Sequence, residues 1–245
     1  MYDQSLLAWG FSPRPNGDFV DITYQDDSFC CWGSRSQGGV YILRLSVAER
    51  LRVRFGRFQQ GQPIDVPPGD YLYVGSALGQ KGSGSLARRL LRHASRSDVT
   101  NPQPIRAKML TAFPQIGLGP KPLHPPAGKK LRWHVDFLLE EGEVELKMVY
   151  LVRVGKGNTE LRRGDTEVHR EKKKSAQSTA KNFDRQLETA VSRHLLTYPQ
   201  ITPLAPGLGS TDDPGGTHLL KITAVPLWWQ TFPDQVTHFL RGESE

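Results

Sequence analysis

The stretch GGVYILRL at residues 38–45 and its counterpart GDYLYVGSA at residues 69–77 decide how this chain is read. In the first, Val40, Ile42 and Leu43 with Tyr41 and Leu45 make a β-branched and aromatic run of the kind that forms a buried strand. In the second, Pro67-Pro68-Gly69-Asp70 is turn chemistry, proline presetting φ and glycine allowing positive φ, and it leads into the strand Tyr71-Leu72-Tyr73-Val74-Gly75. Between them, residues 51–58 alternate Leu51, Val53 and Phe55 against Arg52, Arg54 and Gly56, which reads as a strand with a basic outer face. These three strands predict an antiparallel meander.

Working outward, the Gly/Ser loop at 79–85 gives way to a helix over residues 86–94, with Ser83 or Ser85 as its N-cap. Residues 95–130 are rich in Pro, Lys and Gly and read as an insertion, with a short helix at 105–113. Residues 131–139 alternate and read as a strand, Trp133, Val135 and Phe137 on one face and His134 and Asp136 on the other. Another strand is expected at 146–154. The charged segment 155–181, containing Lys172, Lys173 and Lys174, reads as an insertion loop. A helix beginning near Asn182 or Asp184 carries Phe183, Leu187, Val191 and Leu195 at intervals of four, a buried stripe with Glu188 beside it. A Gly-rich loop at 207–216 precedes a short strand at 218–222. The domain division is therefore an N-terminal extension at 1–37, one core domain at 38–222 and a tail at 223–245, where Trp228 and Trp229 fold back apolar surface.

Composition narrows the function classes. The 245 residues are 37% hydrophobic, enough for one packed core, and the formal charge of +7 favours an anionic partner. The only cysteines, Cys30 and Cys31, are neighbours and cannot staple distant segments, so a reducing cytoplasm is expected. The N-terminus has no basic region followed by an apolar run, and nothing approaches the ~18 apolar residues of a membrane span.

Gly39-Val40-Tyr41 and Tyr73-Val74-Gly75, followed by Ser76 and by Arg89 and His93 on one helix, resemble the GIY-YIG nuclease superfamily. The order GGVYIL, GDYLYVGSA, LARRLLRH, RWHVDFLL, a Glu-bearing helix and GSTDDPGGTHLLKI is similar to a largely uncharacterised branch of it. The resemblance implies an α/β (α+β) domain, a small, mainly antiparallel sheet flanked by helices, that is a metal-dependent endonuclease. Its substrate would be DNA in preference to RNA, with magnesium, or alternatively manganese, as the ion. Where the branch tends to carry a cysteine in its terminal motif, this chain has Asp212-Asp213-Pro214, which stays outside the catalytic set.

The chemistry needs an activated water, neutralised phosphoryl oxygens and a stabilised leaving oxygen. The resemblance makes Tyr41 the general base, which requires its pKa to be depressed by nearby positive charge. Tyr73 completes the tyrosine pair. Arg89 and His93 fall about 40° apart on the helix, so both reach the sheet, while Arg88 and Arg92 point elsewhere. Arg89 would hold a nonbridging phosphate oxygen, His93 would orient or shuttle a proton, and Arg88, Arg92, Ser76 and Lys81 would contact flanking nucleic acid. Glu188 would bind the metal, and His134 would join the site with Asp136 fixing its tautomer.

Plainer readings stand beside these. Tyr41 and Tyr73 are ordinary strand residues when read alone, Glu188 can pair with Arg185, and His134 and Asp136 can form a structural pair. A catalytically silent nucleic-acid-binding module is the alternative function. A protein-interaction module built on the aromatic tail is the third.

Overall fold

The computed structural model describes residues 21–33, 36–154, 186–209, 216–223 and 225–243. Nine strands are present among them: β1 (Ile22–Gln25), β2 (Phe29–Trp32), β3 (Gly39–Val47), β4 (Leu51–Val53), β5 (Ile64–Val66), β6 (Gly69–Ala77), β7 (Val144–Val152), β8 (Ile201–Pro203) and β9 (Leu219–Ile222). The helices are α1 (Leu86–His93), α2 (Ile105–Gln115), α3 (His134–Leu138), α4 (residues 186–195) and α5 (Pro226–Arg241). The fold is mixed α+β. No described helix is long and apolar enough to cross a membrane.

The two tyrosine motifs form neighbouring central strands. Seven strands make one sheet in the order β1-β2-β7-β3-β6-β9-β8, antiparallel except for the β2/β7 pair. Successive side chains of a strand point to opposite faces, so β3 and β6 feed two separate cores. Tyr41, Leu43, Leu45, Tyr71 and Tyr73 pack with Leu86, Leu90, Met109, Phe113, Val135 and Leu138 from α1, α2 and α3. Val40, Ile42, Leu72 and Val74 pack with Leu187, Val191, Phe232, Val236 and Phe239 from α4 and α5. Burial on both sides explains why GGVYILRL reads as continuously apolar rather than alternating.

The meander is not formed. β3 pairs directly with β6, and β4 and β5 make their own two-stranded ladder outside the sheet. Residues 51–58 cannot continue as one strand because Gly56 sits at φ +62°, and Gln59 and Gln60 follow in the left-handed region. The alternation was still informative, since Val53, Phe55 and Val66 are buried in the tyrosine-side core.

Residues 134–138 are helical, not extended. Asp136, at the third helical position, accepts the backbone N–H of Trp133, the N-cap residue, which starts the helix locally. Val135, Leu138 and Leu139 are the buried apolar positions, a spacing that suits a helical turn better than period two.

Several boundaries move as well. The strand expected at 146–154 is Val144–Val152, the one expected at 218–222 is Leu219–Ile222, and the helix expected at 105–113 continues to Gln115. That helix buries Ile105, Met109 and Phe113. Within the segment read as an extension, Phe29–Trp32 is fully buried beside β7; four residues covered on both faces leave no period to detect. The tail forms α5, started by Pro226 and stopped by Gly242 at φ +69°, and its aromatic side packs on the sheet as expected. Residues 1–20, residues 155–185 with Lys172–Lys174, Phe183 and Arg185 among them, and Asp212, Asp213 and Pro214 lie outside the described residues.

Candidate active site on the two tyrosine strands

Register places the site. Tyr41 on β3 lies opposite Gly75 on β6, and Leu43 lies opposite Tyr73, so both tyrosines project from one face with ring centroids 6.3 Å apart. A Cβ on Gly75 would stand 2.6 Å from the Tyr41 hydroxyl, so the glycine is what leaves room for the phenol. Gly39 is constrained differently: its Cβ would meet the Val152 carbonyl at 2.0 Å, backbone against backbone.

His93, the last residue of α1, reaches the same face. Its Nε2 is 2.8 Å from the Tyr41 hydroxyl and its Nδ1 is 2.9 Å from Asp136 Oδ1. Tyr41, His93 and Asp136 are all fully buried. Asp136 Oδ2 accepts the backbone N–H groups of Arg132 at 3.0 Å and Trp133 at 3.2 Å. Behind them, the buried Lys129 ammonium is 3.8 Å from Asp136 and 2.8 Å from Glu140. Burial pushes the Asp136 carboxyl up, but the His93 hydrogen bond, the His93 and Lys129 charges and the Arg132 amide outweigh it and hold it at about 2. Burial moves His93 below its ordinary value against the opposing pull of Asp136, so the ring is neutral at pH 7.

The expected depression of the Tyr41 pKa is not found. Burial raises it, and Glu188 and Asp136 add to the rise, while the Arg89 charge opposes them. Tyr73 is raised for the same leading reason. A phenol withdrawn from water resists ionisation, and one arginine does not overcome that.

Arg89 donates to the Ser76 carbonyl at 3.2 Å and lays its guanidinium over the Trp133 ring at 3.7 Å. Arg92 and Arg132 approach the same ring, at 4.9 and 5.2 Å. Arg92 does not point away from the site as expected, because Asp136 draws its Nε to 3.7 Å. Among the described residues the buried Nε atoms of Arg89 and Arg92 have no hydrogen-bond partner, the Arg92 atom being only ion-paired with Asp136.

Glu188 comes from the opposite face and meets this group at the strand edge. Its carboxylate accepts the Ser76 hydroxyl and lies 3.1 Å from His218 Nδ1, with 19% of the side chain exposed. β9 pairs with β6 only from Asp70 to Tyr73, so the Ser76 end of β6 is paired with β3 alone, and α4 can reach round the other side. Ser76 thus links Arg89 through its carbonyl to Glu188 through its hydroxyl.

Other expected residues sit apart. Arg88 donates to the His124 carbonyl at 2.8 Å, and Lys81 is exposed in the loop before α1. His134 does not pair with Asp136: its Nδ1 accepts the Gly209 N–H at 2.9 Å and its ring rests on Phe58. The reversal follows from α3, since a helical turn sends residues 134 and 136 in different directions. Sequence reading missed Trp133, Lys129 and His218, and gave Asp136 the wrong histidine. The acid at the third position of a helical turn was the available signal for Asp136; nothing local marks Lys129.

Among the described residues no three His, Cys, Asp or Glu side chains group to hold a metal. Comparison with curated proteins and with solved structures gives no match. A family model described as "Domain of unknown function DUF123" matches residues 40–162, half of the chain, taking in Tyr41, Tyr73, Arg89, His93 and Asp136 but not Glu188; the chain belongs to the DUF123 family.

Proposed function

We propose that this chain is a GIY-YIG-type phosphodiesterase that hydrolyses nucleic acid, DNA in preference to RNA, with a divalent ion. The observation that carries this reading is the continuity of contacts from Asp136 through His93 to Tyr41, and from Arg89 through Ser76 to Glu188, across adjacent strands. This reading uses the hydrogen-bonded imidazole and phenol, the guanidinium and the carboxylate that lie close together on and beside these strands. In this reading Tyr41 accepts the proton of the attacking water, Arg89 binds a nonbridging oxygen, and Arg92 and Arg132 engage the adjacent phosphate. The formal charge of +7 suits a polyanionic substrate, and the free, buried thiols of Cys30 and Cys31 suit a reducing cytoplasm.

A lone, partly exposed carboxylate fits a hard ion that keeps most of its waters, so Glu188 would hold magnesium or manganese, and the ion would supply positive charge to the phosphoryl group. Magnesium-dependent nicking of a plasmid tests the reading. Tyr41→Phe, Arg89→Ala and Glu188→Ala should each reduce it by roughly 10²-fold or more. Full activity in all three would sink the site.

One observation favours a second reading, a silent nucleic-acid-binding module: the Tyr41 hydroxyl is buried and its pKa is raised. That module would bind DNA with steep salt dependence and would not cleave it, whichever metal is supplied.

A further inference from the structure

We propose that Asp136 is a positioning residue that locks His93 in the tautomer protonated on Nδ1, leaving Nε2 to receive the Tyr41 proton and so making a buried phenol competent as a base. The inference rests on the phosphodiesterase reading and deepens it. His93 is faced by Tyr41 from β3, Tyr73 from β6, Trp133 and Asp136 from the α3 turn, and Arg89 from its own helix, with Lys129 behind Asp136.

An ionised carboxylate only accepts hydrogen bonds. At 2.9 Å from Asp136 Oδ1, His93 Nδ1 must therefore carry the hydrogen. The ring is neutral, so Nε2 is bare and accepts the Tyr41 hydroxyl at 2.8 Å. The direction of that bond removes the difficulty of the buried phenol. As the attacking water gives a proton to Tyr41 Oη, the proton already on Oη passes to His93 Nε2, and no free phenolate accumulates. The bond from phosphorus to the water oxygen forms and the bond to the leaving sugar oxygen breaks. The departing oxygen takes its proton from solvent, and the imidazolium, paired with Asp136, returns its Nε2 proton through Tyr41 Oη to water, which restores the starting state.

Asp136→Asn separates this role from packing because it is nearly isosteric. The Arg132 and Trp133 amides both donate to one oxygen of Asp136, at 3.0 and 3.2 Å. An asparagine keeps its carbonyl oxygen there and turns its NH₂ toward His93 Nδ1. That nitrogen must then accept, so the ring hydrogen moves to Nε2 and confronts the Tyr41 hydroxyl. The relay then runs the wrong way.

The experiment is ¹⁵N NMR of histidine-labelled full chain alongside magnesium-dependent plasmid nicking and DNA-binding anisotropy. The wild type should show His93 protonated on Nδ1, and Asp136→Asn should show it on Nε2. Nicking should fall on the order of 10²–10⁴-fold in the variant while DNA affinity stays within about twofold. In Tyr41→Phe the Nδ1-protonated form should persist, since Asp136 sets it; its loss there overturns the lock without relying on the folding of Asp136→Asn. Retention of the Nδ1 proton in Asp136→Asn, or a changed tautomer with nicking within about twofold of wild type, also overturns the proposal. A wild type that binds DNA and never nicks it overturns the phosphodiesterase reading, and the tautomer comparison still decides whether the lock exists.

Discussion

On the tyrosine side of the sheet, β3 and β6 bury a hydrogen-bonded group of Tyr41, His93, Asp136 and Lys129; on the other side, the same strands bury Val40, Ile42, Leu72 and Val74 against Leu187, Val191 and Phe232. Adjacent residues of one strand thus face two apolar cores, one of which also encloses this polar group. A buried polar group must be satisfied or it costs stability, whereas an apolar face needs only volume and shape. The tyrosine side uses two backbone amides, His93, the Lys129 ammonium and the Arg92 guanidinium to satisfy Asp136. On the other side Glu188 stays at the strand edge where water reaches it. Charge and pH should therefore act on one face and cavity volume on the other.

The largest effect expected is on the apolar side. Phe232 is fully buried, edge-on to Tyr150 with ring centroids 4.8 Å apart. Phe232→Ala should cost about 3–5 kcal/mol in urea unfolding, independent of pH. A pH-dependent loss in that variant would break the division between the faces.

On the tyrosine side, Asp136 makes stability depend on acid. Its folded value of about 2 lies below the ordinary 3.8, so its contribution is complete above about pH 4 and is lost as pH falls towards 2. The difference is on the order of 2 kcal/mol. Unfolding midpoints measured between pH 5 and pH 2 should slope more steeply in the wild type than in Asp136→Asn, and parallel slopes would remove Asp136 from the balance.

A smaller change is expected at Trp133, where Arg89 stacks at 3.7 Å. Trp133→Leu should lower stability by about 1 kcal/mol beyond the loss of area and weaken DNA binding, because Arg89 and Arg92 lose their common support. Unaltered DNA affinity would show that the arginines are held by other contacts. Smallest is Arg50→Ala in the β4/β5 ladder, whose 2.9 Å pair with Asp65 is exposed. Its cost should stay below about 0.5 kcal/mol in thermal unfolding, and a larger one would mean that this ladder supports the sheet electrostatically.

Much of the sheet was readable because its strands carry strong local signals. Val40 to Leu45 and Tyr71 to Gly75 are β-branched and aromatic runs bounded by glycine and turn residues, and α1 repeats apolar residues at helical spacing. Residues 131–139 misled because Trp133, Val135 and Phe137 alternate, while the capping acid that nucleates the helix is a single side chain bonded to the backbone at its start. Phe29–Trp32 escaped notice because full burial erases periodicity.

The sequence by itself determined that Tyr41, Tyr73, Arg89 and His93 would sit on two strands and one helix, and that Arg89 and His93 would share a face of that helix. Strand and helix periods are local, and a few residues suffice to specify them. Only the tertiary structure decided that Asp136 serves His93 and not His134, that Arg92 turns inward, and that Glu188 crosses from the other layer to reach Ser76. Those pairings join residues 43 and 112 positions apart in the first and last cases. They depend on how whole layers pack round the end of β6 beyond its pairing with β9, which no local period encodes.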